Sequence, residues 1–256
     1  MSHSETPISL LLQDRIILVT GASEGIGRTI AKAYAAQGAT VILLARSVPK
    51  LESLYDEIEG AGYPKPAIYP MNLANATPTD YEALRDNIDR YFGRLDGVLF
   101  NAAFLGSLTP IEHYPIEQWY QVLQINLNSP FLLTHAVLPL LKRSKEASIL
   151  FTSCEVGHKA KAYWGAYAVS KFGCEGLMQV LADELETNTS IRVNSINPGI
   201  IKTRLRRNAY PGENPEHLTS PEELIPTYLY LMGPHSREVN GQCFTFTHKN
   251  PLNCET

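Results

Sequence analysis

Short apolar, β-branched runs recur along the chain at residues 16–19, 40–44, 98–100, 148–151, 191–196 and 243–246. Runs of this length without polar alternation read as strands buried on both faces. A weaker run at 67–69 falls where a third strand belongs and brings the number to seven. Between the runs, apolar residues return at helical spacing. They predict helices over 25–37, 49–59, 79–91, 116–141 with an interruption at Pro130, 163–186 and 221–232. Gly38 stands where a helix stop is expected. Strict alternation of strand and helix specifies a doubly wound α/β fold, a parallel seven-stranded sheet with right-handed crossovers and helices on both faces. Ligands bind such sheets beyond the carboxyl ends of the strands, so the residues that follow each strand carry the functional signal.

Composition narrows the picture. At 256 residues and 44% hydrophobic, the chain can bury one substantial core, and it is expected to be a single domain over 1–256. With 26 acidic against 22 basic residues, the net charge of -4 offers no footprint for nucleic acid or an anionic membrane. The first apolar run, residues 8–12, is broken by Ser9 and followed by Gln13, Asp14 and Arg15. It is too short for a signal-peptide core or a membrane span, and a cytoplasmic location is expected. Cys154, Cys174, Cys243 and Cys254 are scattered without a C-x-x-C pair, which suggests free thiols and neither a zinc site nor a disulfide framework.

The first strand is followed by Thr20-Gly21-Ala22-Ser23-Glu24-Gly25-Ile26-Gly27, a glycine-rich turn opening directly into a helix. Positive φ and close approach to a pyrophosphate exclude a Cβ there, and the helix N-terminus supplies free N–H donors. The spacing does not match a Walker loop, because the turn continues Gly27-Arg28-Thr29. The second strand ends Leu44-Ala45-Arg46-Ser47, where NAD-dependent folds usually place a carboxylate on the ribose hydroxyls. No acid stands there. Arg46 can instead contact a 2′-phosphate, so NADP(H) is the preferred cofactor and NAD(H) the alternative.

Tyr167-Ala168-Val169-Ser170-Lys171 places a phenol and an ammonium four residues apart on one helix face. A phenol that serves as a base near pH 7 must fall by roughly three units from ~10. One nearby cation supplies about one to three units. As a proton donor in carbonyl reduction, Tyr167 is already in the required neutral form.

Together, the turn at Gly21, Phe100-Asn101-Ala102-Ala103, Asn126, the Tyr167/Lys171 pair and Asn197-Pro198-Gly199 resemble the short-chain dehydrogenase/reductase family over almost the whole chain. Residues 15–23 and 164–171 look particularly like its YciK-type members, whose substrates are poorly defined. The resemblance implies a Rossmann fold and a small-molecule carbonyl or alcohol substrate. It also implies a homodimer or homotetramer built on the fourth and fifth helices. Gly21, Ser23, Glu24, Gly25, Ile26 and Gly27 are the implied residues for the pyrophosphate and adenosine side. Asn72 and Leu73 are implied to border the adenine, and Asn101, Ala102 and Ala103 to line the ribose channel. Pro198, Gly199, Ile200 and Thr203 are implied to face the nicotinamide. Tyr167 is the implied acid/base, Lys171 the group that bonds the nicotinamide ribose and lowers the tyrosine pKa, and Asn126 the positioner of a relay water. No metal is implied. By position, 204–220 is the substrate lid.

The chain departs from the family pattern in one consequential place. Family members end the fifth strand with a Ser-Ser pair whose second serine bonds the substrate oxygen, whereas this chain reads Thr152-Ser153-Cys154-Glu155-Val156-Gly157. Aligning Val156-Gly157 puts Cys154 at the catalytic position, with Ser153 as the fallback. A thiol is the weaker donor. Smaller departures are Asn72 in place of Asp and Ala103 in place of Gly. The substitution at Cys154 keeps a second reading open, an NADP-binding sensor or interaction protein with impaired catalysis.

Overall fold

The computed structural model describes residues 10–247 and the backbone of Asn253–Cys254. Residues 8 and 9 of the first apolar run and the Cys254 side chain lie outside the described residues. Seven strands run parallel: β1 (Ile16–Thr20), β2 (Thr40–Ala45), β3 (Ala67–Pro70), β4 (Gly97–Phe100), β5 (Ala147–Thr152), β6 (Ile191–Asn197) and β7 (Cys243–Thr245). Their order is β3-β2-β1-β4-β5-β6-β7, with a two-residue β8 (Asn253–Cys254) antiparallel to β7. That last strand was not foreseen, since two residues carry no periodicity.

Helices α1 (Gly25–Ala36), α2 (Val48–Gly60), α3 (Pro78–Phe92), α4 (Ile116–Leu123), α5 (Ser129–Leu141), α6 (Gly165–Glu186), α7 (Arg204–Ala209) and α8 (Ile225–Met232) cover the sheet. Alternation along β1 divides the core. Ile16 and Leu18 pack into the cluster that takes in Leu84, Val137 and Met178 of α3, α5 and α6. Ile17 and Val19 pack into the opposite cluster with Ile30, Leu54 and Tyr228 of α1, α2 and α8. Local chemistry sets the ends of α3. Thr77 and Asp80 form a reciprocal capping box, and Gly93 closes the helix in the left-handed region.

The expected 116–141 helix breaks earlier than Pro130. A π-helical turn, Gln124–Asn128, separates α4 from α5, and Pro130 sits in the first turn of α5, where a missing N–H is tolerated. Strand order reverses between β1 and β4, so a crevice opens at their carboxyl ends. No helix among the described residues is long and apolar enough to cross a membrane.

Candidate active site

A cleft of about 780 Å³ opens over the carboxyl ends of the strands. Gly21, Ser23, Glu24, Gly25, Ile26, Arg46, Asn72, Leu73, Asn101, Ala102, Ala103, Ser153, Cys154, Tyr167, Lys171, Pro198, Gly199, Ile200 and Thr203 all line it. Of the residues singled out in the sequence, only Gly27 and Asn126 do not.

The glycine turn is shaped by close approach. Gly21 has φ +68°, and a Cβ on it would lie 2.9 Å from the Ala102 Cα. Gly27 stands behind the turn, where a Cβ would run into the Gly21 carbonyl oxygen. Thr20 joins this turn to β4: its hydroxyl accepts from the Asn101 and Ala102 N–H groups at 3.0 and 3.1 Å, and Asn101 Nδ2 donates to the Thr20 carbonyl at 3.4 Å. The first turn of α1 holds no acidic residue. Its unpaired N–H groups and positive dipole end therefore suit an anion. At the mouth, the Glu24 carboxylate bonds Lys50 at 2.5 Å and lies 3.8 Å from Arg204. The Lys50 hydrogen bond is the main reason its pKa falls.

The chemical end is drier. Tyr167 is buried, and its side chain packs against Cys154. Burial first, and the Cys154 neighbour second, hold the phenol well above its ordinary value of 10.0. Burial also raises the Cys154 thiol, so both groups carry their protons at neutral pH. Lys171 Nζ lies 5.7 Å from the Tyr167 ring centroid and donates to the Thr152 carbonyl at 2.7 Å. Burial therefore sets the direction in which the phenol moves. Ser153 points elsewhere: its N–H donates to the Ile196 carbonyl at 2.7 Å, while its hydroxyl is buried without a partner.

Asn126 is committed to the scaffold. Its Oδ1 accepts from the Phe104 N–H at 2.8 Å, and its Nδ2 donates to the Phe104 carbonyl and the Ser170 hydroxyl, both at 3.0 Å. Pro130, four residues on, has no N–H to offer the Asn126 carbonyl, and the Cys174 thiol donates to that oxygen at 2.9 Å instead. Burial raises Cys174 to about 11, which keeps it a donor.

Residues 15–214 match the model of the short chain dehydrogenase family. The chain is 47% identical over 234 residues to the uncharacterized oxidoreductase YciK of Escherichia coli K12, covering 91% of this chain and 92% of that one. A solved Pseudomonas syringae chain described as a short chain dehydrogenase is 53% identical, with a TM-score of 0.91 over 94% of this chain and 97% of its own. A Shigella flexneri structure complexed with NADP is 46% identical, with a TM-score of 0.90 over 93% and 98%.

The chain belongs to the short-chain dehydrogenase family, and is an oxidoreductase of that family.

Within the short-chain dehydrogenase frame, the sequence reading missed several groups that shape the site. Thr20 and Thr152 present main-chain and hydroxyl partners at strand ends, and threonine at a strand end is too common to stand out. Ser170, inside the Tyr167–Lys171 stretch, donates to the Tyr167 carbonyl at 2.7 Å and accepts from Asn126. Trp164 lies edge-on to Tyr167 with ring centroids 5.7 Å apart, and 6.0 Å from Tyr210. Nothing in the local sequence marks that Trp164–Tyr210 contact, which depends on the path of the chain around α7. Arg206 forms a paired contact with Glu213 at 2.6 Å through both nitrogens and stacks 3.8 Å over Tyr210.

Proposed function

We propose that the chain reduces carbonyl compounds, or oxidises the corresponding alcohols, with NADP(H). The observation that carries this reading is the buried, protonated Tyr167 packed against Cys154 in the cleft, with Lys171 one helical turn along. The glycine turn, the acid-free first turn of α1 and Arg46 at the end of β2 fit a dinucleotide carrying a 2′-phosphate. The NADP in the Shigella structure supports the same choice. When bound, the cofactor supplies the hydride.

The chain's own residues do the rest. Tyr167 donates its proton to the substrate oxygen, and the Cys154 thiol offers a second, weaker hydrogen bond to it. Lys171 holds the strand-end carbonyl of Thr152 and offers a cation to the ribose side. Pro198, Gly199, Ile200 and Thr203 border the nicotinamide end. Residues 204–220 act as the lid, anchored where Tyr210 meets Trp164 and stiffened by Arg206 and Glu213. Trp164, Leu205, Ala209 and Val156 pack around Tyr167, which favours a neutral, mainly apolar substrate. The working assembly is a homodimer or homotetramer.

A panel of aldehydes and ketones assayed with NADPH and with NADH tests the reading. NADPH is expected to bind much more tightly than NADH, and Arg46→Ala to remove most of that preference. Tyr167→Phe is expected to abolish turnover while cofactor affinity stays within a few-fold. Equal affinity for the two cofactors, or wild-type turnover in Tyr167→Phe, overturns it.

A further inference from the structure

Three residues far apart in sequence converge outside the cleft. His158 follows the 3-10 turn Glu155–Gly157 that begins after Cys154. Glu175 lies on α6, one turn beyond Lys171. Cys243 opens β7 opposite Ser195 of β6. Their imidazole nitrogen, carboxylate oxygen and sulfur donors all lie within 4.8 Å of one another. Cys243 Sγ is 3.3 Å from His158 Nε2, and Glu175 Oε1 is 3.5 Å from the same nitrogen.

That convergence on one ring nitrogen decides between two chemistries. A thiol–imidazole–carboxylate relay needs each ring nitrogen to serve a different partner, as nucleophile activation requires. Here both partners face Nε2. Three lone-pair donors turned toward a common point are what a cation needs. A tetrahedral zinc ion, with a bond of about 2.3 Å to sulfur and about 2.0–2.1 Å to nitrogen or oxygen, holds its donors roughly 3.3–3.6 Å apart. The two separations fall in that range.

Glu175 supplies a second, independent observation. Its side chain is only 7% exposed; Oε2 accepts the Ser195 hydroxyl at 2.8 Å, while Oε1 is buried with no hydrogen-bond partner and is aimed at His158. A buried carboxylate oxygen without a donor is costly unless a charge meets it. The Ser195 bond is the kind of outer contact that orients a ligating carboxylate. The His158 side chain is 33% exposed, which gives an ion a route from solvent.

We propose that His158, Glu175 and Cys243 bind a thiophilic divalent cation of the zinc class. One thiolate, one imidazole and one carboxylate select zinc over magnesium or calcium, whose sites are built from oxygen. Coordination releases the Cys243 thiol proton to solvent, so binding strengthens as pH rises. Three protein donors leave the fourth position to water. The ion ties the turn after Cys154 to the helix that carries Tyr167 and Lys171, and both to β7.

The test uses the full chain, stripped with a chelator and titrated with Zn²⁺ against a chromophoric competitor, and separately with Co²⁺. Wild type is expected to take up one Zn²⁺ per chain, and its Co²⁺ form to show a thiolate-to-metal charge-transfer band. Cys243→Ser is expected to remove the band and weaken Zn²⁺ at least about tenfold. Glu175→Gln, which keeps a group for Ser195, is expected to weaken Zn²⁺ as well, and Cys254→Ser to change neither readout. Circular dichroism and thermal unfolding check that each variant folds. Absence of saturable Zn²⁺ binding by wild type, binding without a thiolate band, or a band that survives in Cys243→Ser overturns the proposal.

Discussion

Cys154 and Ser153 differ by one position in β-type backbone, and that position decides which of them meets Tyr167. Successive residues of an extended segment point to opposite sides, so the alignment through Val156-Gly157 already selected Cys154. In the fold it is Cys154 that packs against the phenol, while Ser153 turns into the packing beside Gly157 and Lys171. Cys154→Ser is therefore expected to accelerate carbonyl reduction. The ceiling is the value of one oxyanion donor, roughly 3 kcal/mol or about 10²-fold. Ser153→Ala is expected to stay within a few-fold. Steady-state kcat/KM with NADPH reads both; a dead Ser153→Ala beside an unimproved Cys154→Ser makes Ser153 the catalytic serine. NADPH binding without turnover in either form favours the sensor reading instead. Apart from Asn126 in the π-helical turn, the residue types of the site were legible because they follow a strand or sit on the Tyr/Lys helix face. Their pairings were less so: the rise of the Tyr167 phenol comes from desolvation, which no spacing encodes.

Strands and long helices were legible because their apolar periods are strong; the irregular segments were not. The π-helical turn at Gln124–Asn128 carries no breaking residue of its own, so Pro130, just beyond its end, drew the expected break too late. The six-residue α7 carries three arginines and no apolar stripe, and it read as loop. The π-helical turn has a specific task, since it presents Asn126 to both main-chain groups of Phe104, 22 residues away. Asn126→Ala leaves that N–H and carbonyl without their partners. At about 1–3 kcal/mol for each unsatisfied group, a loss of roughly 2–6 kcal/mol is expected in urea unfolding, with weakened cofactor binding because Phe104 lines the cleft. Unchanged stability in Asn126→Ala means that the Phe104 loop is held by other contacts.

Across the whole molecule, buried titratable groups and bare helix faces set the limits of stability and assembly. Tyr34 and Tyr228 are fully enclosed and Tyr167 is buried at the cleft, and burial raises all three phenols above 10. A group whose pKa is raised by folding stabilises the fold fully below its unfolded value and loses that contribution as pH rises through the folded one. Urea midpoints are thus expected to hold up to about pH 9 and to fall from about pH 10 upward, as the unfolded chain ionises tyrosines that the fold keeps neutral. A flat profile through that range removes burial as the cause. The second limit is apolar surface. Tyr120 of α4, Phe131 of α5, and Val169, Phe172 and Val180 of α6 are 43–67% exposed in the single chain. At Gly176 of α6 an added Cβ would meet nothing within 4 Å, so the helix surface there is bare enough for close approach. Exposed aromatics and aliphatics that recur on these helices would suit an association surface, and a two-fold packing of such a face against its copy is self-complementary. Sedimentation is therefore expected to give a dimer or tetramer. Phe172→Glu, which puts a charge on each side of that contact, is expected to shift the population toward monomer while leaving the circular dichroism spectrum unchanged; a wild-type chain that sediments as a monomer at tens of micromolar rules the surface out.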